Sequence, residues 1–129
     1  MGALILDASV LIGLLDAADT HHRSAVDAVE AADQAGRALV VPASAYSEAL
    51  VAFARAGRVR DAREAVASMG ITVAPLTATM AEHAAELRAR HERPRLPDAI
   101  VLACARALDS ELLSYDKRLR QLAEGEDAR

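Results

Sequence analysis

The sequence predicts an α/β fold. Short aliphatic and β-branched runs alternate with longer segments of helical periodicity, and no internal repeat, low-complexity tract or glycine-rich linker interrupts the alternation. The 129 residues fall within the size of one domain, and 53% hydrophobic against 26% charged residues is the balance of a chain that buries a core. A single domain over residues 1–123 is expected, with the charged stretch 124–129 frayed beyond it.

Residues 3–6 read as a buried strand. Helical segments follow over about 9–15 and 20–34, the second with an apolar stripe through Ala25, Val26, Ala28, Val29 and Ala32. Gly36 ends it. Residues 38–41 form a second buried strand, and Pro42 suits the opening of a helix that runs to about Ala56, before the turn at Gly57. A helix over 59–69 is broken by Gly70, and 71–74 is the third strand. Helical spacing returns over 79–91 through Met80, Ala84 and Leu87, and 93–95 is a loop. Pro97 opens a helix to about Leu108, 111–114 is the last strand, and 116–122 is the last helix.

The uncharged run over residues 2–6 is too short for the apolar region of a signal peptide, and no uncharged stretch reaches the length of a membrane span, so a cytoplasmic protein is expected. Cys104, the single cysteine, has no partner thiol for a disulfide or a zinc site and lies in an apolar run that reads as core. The net charge of -4 argues against a surface coated with basic residues for indiscriminate nucleic-acid binding, while leaving local basic patches open.

The informative feature is where lone carboxylates fall. Asp7 is the only charged residue over 1–15, Glu48 the only one between Arg37 and Arg55, and Asp98 the only one between Arg95 and Arg106. An ionised carboxylate removed from water without a partner costs at least several kcal/mol, so each must be capped, paired or bound to a cation. Asp7, Asp98 and Asp116 stand at expected helix starts, where capping of backbone N–H groups is a sufficient explanation. Glu48 lies one to two turns inside its helix, where neither capping nor an i,i+4 ion pair accounts for it. Asp7 and Asp116 also follow strands, and in open parallel sheets sites assemble at the carboxyl ends of strands. Convergence of the four in one cleft therefore stands beside capping as the second reading. Oxygen-rich, cysteine-free clusters suit hard cations such as Mg²⁺ or Mn²⁺, whose chemistry includes phosphodiester hydrolysis.

Four motifs in order carry a resemblance: Leu4-Ile5-Leu6-Asp7-Ala8-Ser9, then Tyr46-Ser47-Glu48, then Leu96-Pro97-Asp98-Ala99, and last the run from Leu112 through Ser114, Tyr115 and Asp116 to Leu119. With these motifs at these spacings the chain resembles, over nearly its whole length, the PIN-domain nucleases, and within them the VapC toxins of toxin–antitoxin pairs. Threonine is the commoner residue of that family at the position of Ser114. The resemblance implies a three-layer α/β/α domain with a central parallel sheet of about four to five short strands flanked by helices. It implies Asp7 and Asp98 as metal ligands, Asp116 as a further or water-mediated one, and Glu48 as the acid that positions or activates the attacking water. Ser9 and Ser114 would support the carboxylates or the substrate phosphate, against a plain capping or turn role. The implied cofactor is Mg²⁺, with Mn²⁺ able to substitute. The implied partners are an RNA substrate, a VapB-like antitoxin whose tail occupies the acidic cleft, and a second copy of the chain.

Other features have simpler readings. His21, His22, His83 and His91 lack ligand spacing and suit surface or helix-end positions. The basic stretches Arg88, Arg90, Arg93, Arg95 and Lys117, Arg118, Arg120 could receive an RNA backbone, or they could be solvated helix faces with pairs such as Glu86 and Arg90. Aromatic residues are only 2% of the chain, so base stacking cannot be the main mode of RNA recognition. A haloacid-dehalogenase-type phosphatase also begins with a strand and an aspartate, but it needs a second aspartate where this chain has Ser9, and Lys117 is the sole lysine available to it. A PIN-like binding module without catalysis is the non-enzymatic reading. If the carboxylates converge, neutralising Asp7 or Asp98 is expected to raise stability in the absence of metal.

Overall fold

The computed structural model describes residues 2–92 and 94–127. Its elements run β1 (Leu4–Leu6), α1 (Ala8–Leu15), α2 (His22–Gln34), β2 (Leu39–Pro42), α3 (Ala43–Arg55) and α4 (Val59–Ser68), then β3 (Ile71–Ala74), α5 (Ala78–Arg90), α6 (Leu96–Ala107), β4 (Glu111–Leu113) and α7 (Lys117–Asp127). The four strands form one parallel sheet in the order β3-β2-β1-β4. After β3 the chain reverses its direction across the sheet, and α5 and α6 carry it over β2 and β1 to the far edge. Because crossovers between parallel strands are right-handed as a rule, connections running to opposite sides of that reversal put helices on both faces, the three-layer α/β/α arrangement.

β1 is buried along its whole length, as a central parallel strand covered on both faces must be, and Ile5 and Leu6 are fully enclosed. Asp7 caps α1, its Oδ1 accepting from the Val10 N–H at 3.1 Å, and the Thr77 hydroxyl accepts from the Met80 N–H at 3.2 Å to start α5. α2 begins at His22, later than the expected residue 20, because Asp19 closes the preceding turn. The Asp19 carboxylate accepts from the His21 N–H and its carbonyl from the His22 N–H, both at 3.0 Å. Gly36 and Gly70 end α2 and α4 with φ of 73°, a left-handed conformation that a side chain would strain. Cys104 is buried, as its apolar run implies. Among the described residues no helix is long and apolar enough to cross a membrane.

The last helix differs from expectation. It continues to Asp127, through four of the six residues expected to fray, while 128–129 and Arg93 of the expected loop 93–95 lie outside the described residues. The acidic end finds cationic partners on other helices. Glu126 is buried and accepts from Arg90 Nη2 at 2.8 Å, with His91 Nε2 on its other oxygen, and Asp127 accepts from Arg106 Nη2 at 2.8 Å. Arg90 thus pairs across helices with Glu126, in place of the i,i+4 pair with Glu86 that its spacing suggests.

Hydrogen bonds from Arg90 and then His91 pull the Glu126 carboxyl down to about 2. Between that value and the ordinary glutamate range of about 4.3, the unfolded chain binds the proton and the folded one does not. The stability it contributes is therefore present above that range and lost as pH falls through the folded value. Glu126→Gln should melt several degrees below the parent near neutral pH, with the gap closing as the pH is lowered toward 2. Equal melting of the two proteins near neutral pH would show that the pairing does not hold α7 in place.

Candidate active site

β1 and β4 are neighbours at the point where the strand order reverses, and the crevice outside their carboxyl ends is where an open parallel sheet offers a site. Asp7 stands at the end of β1. Besides capping α1, its Oδ1 accepts from the Ser9 hydroxyl at 2.6 Å and its Oδ2 from the Ser114 hydroxyl at 2.5 Å. Each hydroxyl also accepts a bond from the turn that follows β4, Ser9 Oγ from the Tyr115 N–H at 2.9 Å and Ser114 Oγ from the Asp116 N–H at 3.0 Å. β4 ends at Leu113, one residue earlier than expected, which leaves Ser114 outside the ladder with its hydroxyl turned to Asp7. Both serines therefore hold the carboxylate, and neither is a simple turn hydroxyl.

Asp116 caps α7, its Oδ1 accepting from the N–H groups of Arg118 at 2.8 Å and Leu119 at 3.3 Å. Asp98 does not cap. The residue before α6 is Arg95, Asp98 sits in the first turn, and its buried Oδ2 has no hydrogen-bond partner among the described residues. Glu48 comes from within α3, between one and two turns from its start. Asp7, Glu48, Asp98 and Asp116 line one cavity of about 190 Å³, walled on its other sides by Arg95 and Ile12 among others. The capping reading thus holds for Asp7 and Asp116, fails for Asp98 and never applied to Glu48, yet all four meet.

Burial pushes the Asp98 carboxyl above the usual aspartate range, Asp116 adds to the rise, Arg95 and Arg118 oppose it, and Asp7 adds slightly. Partial loss of water at the cavity does the same to Glu48, which is otherwise exposed, reinforced by Asp98 and opposed by Arg95, with smaller contributions from Asp7 and Asp116. The residues fit a hard divalent cation: an all-oxygen donor set, mutual repulsion that a cation relieves, and one buried oxygen that no protein donor satisfies. Among the described residues no group of three or more acidic, histidine or cysteine ligands is already gathered at metal-holding distances. Mg²⁺ does not require one, since it keeps several of its waters and is commonly held by one or two carboxylates.

The sequence placed Arg95 only in a basic stretch, whereas the structure puts it in the wall of the cavity. Its position three residues before Asp98 at a helix start was the available signal, because residues so spaced share one side of the first turn. The stacking of His21 on Tyr115, with ring centroids 4.4 Å apart, left no such trace. His22 bonds the Gly13 carbonyl and His91 bonds Glu126, and neither lines the carboxylate cavity.

The geometry revises the expectation that neutralising either aspartate stabilises the metal-free protein. Asp7 accepts three hydrogen bonds, and an amide nitrogen in place of one oxygen would face a donor, so Asp7→Asn should destabilise by about 1–3 kcal/mol. Asp98→Asn breaks no bond and removes a like charge, so in chelator at neutral pH it should melt a few degrees above the parent. Because Asp98 and Glu48 have raised folded values, the folded state holds their protons more tightly than the unfolded. Metal-free stability should thus be lost as pH rises through those values and regained as pH falls through them. A divalent cation should reverse the order of parent and Asp98→Asn, adding about 2.7 kcal/mol to the parent at a hundredfold excess over Kd. Melting curves in EDTA and in millimolar Mg²⁺ test this, and a parent indifferent to metal would count against a metal site.

The profile of the PIN-domain family matches residues 4–125. No curated protein sequence matches the chain. Among solved structures, the fold is similar to that of Mycobacterium tuberculosis VapC20, described as a sarcin-ricin loop cleaving toxin, with a TM-score of 0.72 and 21% identity over 92% of this chain and 94% of that one. A toxin–antitoxin complex from Klebsiella pneumoniae gives a TM-score of 0.73 and 24% identity over 90% of this chain and 88% of that one. VapBC2 from Rickettsia felis, bound to a DNA fragment from its promoter, gives 0.75 and 10% identity over 93% and 92%. Identities this low speak for the fold, and the match over nearly the whole chain speaks for the family: the chain belongs to the PIN-domain family.

Proposed function

We propose that the chain is the toxin of a toxin–antitoxin pair, an endoribonuclease that hydrolyses RNA phosphodiester bonds at the four-carboxylate cavity with Mg²⁺, for which Mn²⁺ can substitute. The observation that carries the reading is the convergence of four acidic side chains from distant segments on one cavity, with a buried Asp98 oxygen left for a cation. PIN-domain nucleases generally depend on a divalent metal, and the choice of Mg²⁺ rests on the hard, all-oxygen donor set.

Asp7, Asp98 and Asp116 would hold the ion. Bound there, it supplies Lewis-acid polarisation of the phosphoryl oxygen and a lowered pKa for water. Ser9 and Ser114 fix the Asp7 carboxylate in one orientation, so the site forms without reorganisation when substrate arrives. Glu48, whose raised value makes it a stronger base than a solvated glutamate, takes the proton from the attacking water. Arg95, an exposed cation in the wall of the cavity, neutralises the substrate phosphate.

Membership of the PIN-domain family removes the phosphatase alternative, and Lys117, its required lysine, does not line the cavity. A binding module without catalysis is opposed by the presence of all four acids in the cavity. The fold shared with toxins solved as toxin–antitoxin complexes supports a VapB-like antitoxin as partner. The toxin acts as a homodimer in the cytoplasm.

Asp7→Asn, Glu48→Gln, Asp98→Asn and Asp116→Asn should each lower RNA cleavage roughly a hundredfold or more while circular dichroism shows a folded protein. Cleavage should require Mg²⁺ or Mn²⁺ and stop in EDTA. Full activity of the Asp98 variant, with contaminating nuclease excluded, would sink the proposed site. With a net charge of -4 and few aromatic residues, the free protein should cut selected structured RNA and digest single-stranded DNA poorly.

A further inference from the structure

We infer that the depression beside the carboxylate cavity, built on Arg118, Arg90 and Gln121, is a subsite for the RNA backbone flanking the bond to be cut; the inference rests on the nuclease reading above. The two basic stretches of the sequence, nearly thirty residues apart, meet here. The depression encloses about 490 Å³, and its walls include Arg90, His91 and Pro94 from the end of α5 and the turn after it, and Arg118, Gln121 and Leu122 from α7. That is more than twice the volume of the carboxylate cavity, too large for an ion and ample for a sugar–phosphate unit.

Arg118 joins the two sites. It lines the depression, and it lies close enough to Asp98 to favour the ionised form of that carboxyl. Its guanidinium forms no ion pair among the described residues, so its charge is available to a polyanion. Arg90 is held in place through Nη2 by Glu126, and its remaining donors make no hydrogen bond among the described residues, with Glu86 acting on its charge only at a distance. Gln121 supplies a neutral amide donor, and Glu92 is the one exposed acid in the wall. None of the residues lining the depression is Phe, Tyr or Trp, so the chemistry on offer is charge and hydrogen bonding to phosphate and ribose, with no stacking platform. A protein with a net charge of -4 must draw a polyanion through such local cations or not at all.

The test measures binding of a fluorescein-labelled RNA hairpin in EDTA over a range of salt concentrations, together with cleavage of the same RNA in Mg²⁺. Arg118→Ala should weaken binding about tenfold and reduce the slope of log K against log salt by about 0.7 to 0.9. Arg118→Glu should weaken it further, Gln121→Ala less, and each variant should raise KM more than it lowers kcat. Arg60→Ala, on the exposed face of α4, should bind as the parent does. Melting temperatures should be unchanged, because Arg118 is exposed and unpaired among the described residues. A parent that cuts the RNA while Arg118→Ala keeps its affinity and salt slope overturns the inference alone. A parent that neither binds nor cuts RNA overturns the nuclease reading and the inference with it. Poly-glutamate binding that is lost in Arg118→Ala while RNA binding survives would assign the depression to an acidic peptide, and that also overturns the inference.

Discussion

Two serine hydroxyls reach the carboxylate of Asp7, and the position of Asp116 beside it depends on that pair of bonds. Each hydroxyl donates to the aspartate and accepts a backbone N–H from the turn after β4, so one carboxylate orients both the start of α1 and the path of the chain into α7. Asp116 is placed by this arrangement, because its own N–H is one of the two donors and its Oδ1 then begins α7. The strand order makes the arrangement possible. β1 lies between β2 and β4, so the segment leaving β1 and the segment leaving β4 emerge side by side at the same edge of the sheet.

Capping and a place in the acidic cavity looked like competing explanations for the aspartates, and at two of them they coincide. Asp7 and Asp116 each use Oδ1 on a helix start, and a carboxylate has a second oxygen with its own lone pairs. What separated the readings was Asp98, whose helix start looks like a cap site in the sequence but is capped by no side chain at all. Its burial without a donor is a cost that helix formation does not explain.

The elements of the fold were legible because their periodicities differ and because Gly36, Gly57 and Gly70 stop helices where the chain turns. The acids were legible because a lone charge in an apolar stretch is anomalous whatever the fold. The end of α7 was not. Four charged residues among the last six read as a solvated tail, and the partners of Glu126 are 36 and 35 residues away in sequence, beyond any local pattern. The wall of the depression at Arg118 was hidden for the same reason. Each basic stretch alone looks like a helix face in water, and only the packing of α7 against the end of α5 gives them a common concavity.

The carboxylates whose surroundings shift them from the ordinary range are treated in two opposite ways. Glu126 has an arginine and a histidine within hydrogen-bond distance, its charged form is favoured, and it fastens the last helix to the end of α5. Asp98 and Glu48 have arginines near enough to moderate them but not to satisfy them, and burial and their acidic neighbours hold their charged forms at a disadvantage. The chain contains fifteen basic residues, and Arg95 and Arg118 are exposed beside these acids without forming a salt bridge to them. A bound cation and a substrate phosphate would change that balance together, the one neutralising the acids and the other engaging the arginines they leave free. Fully paired, the same residues would be more stable and would have nothing left with which to bind either.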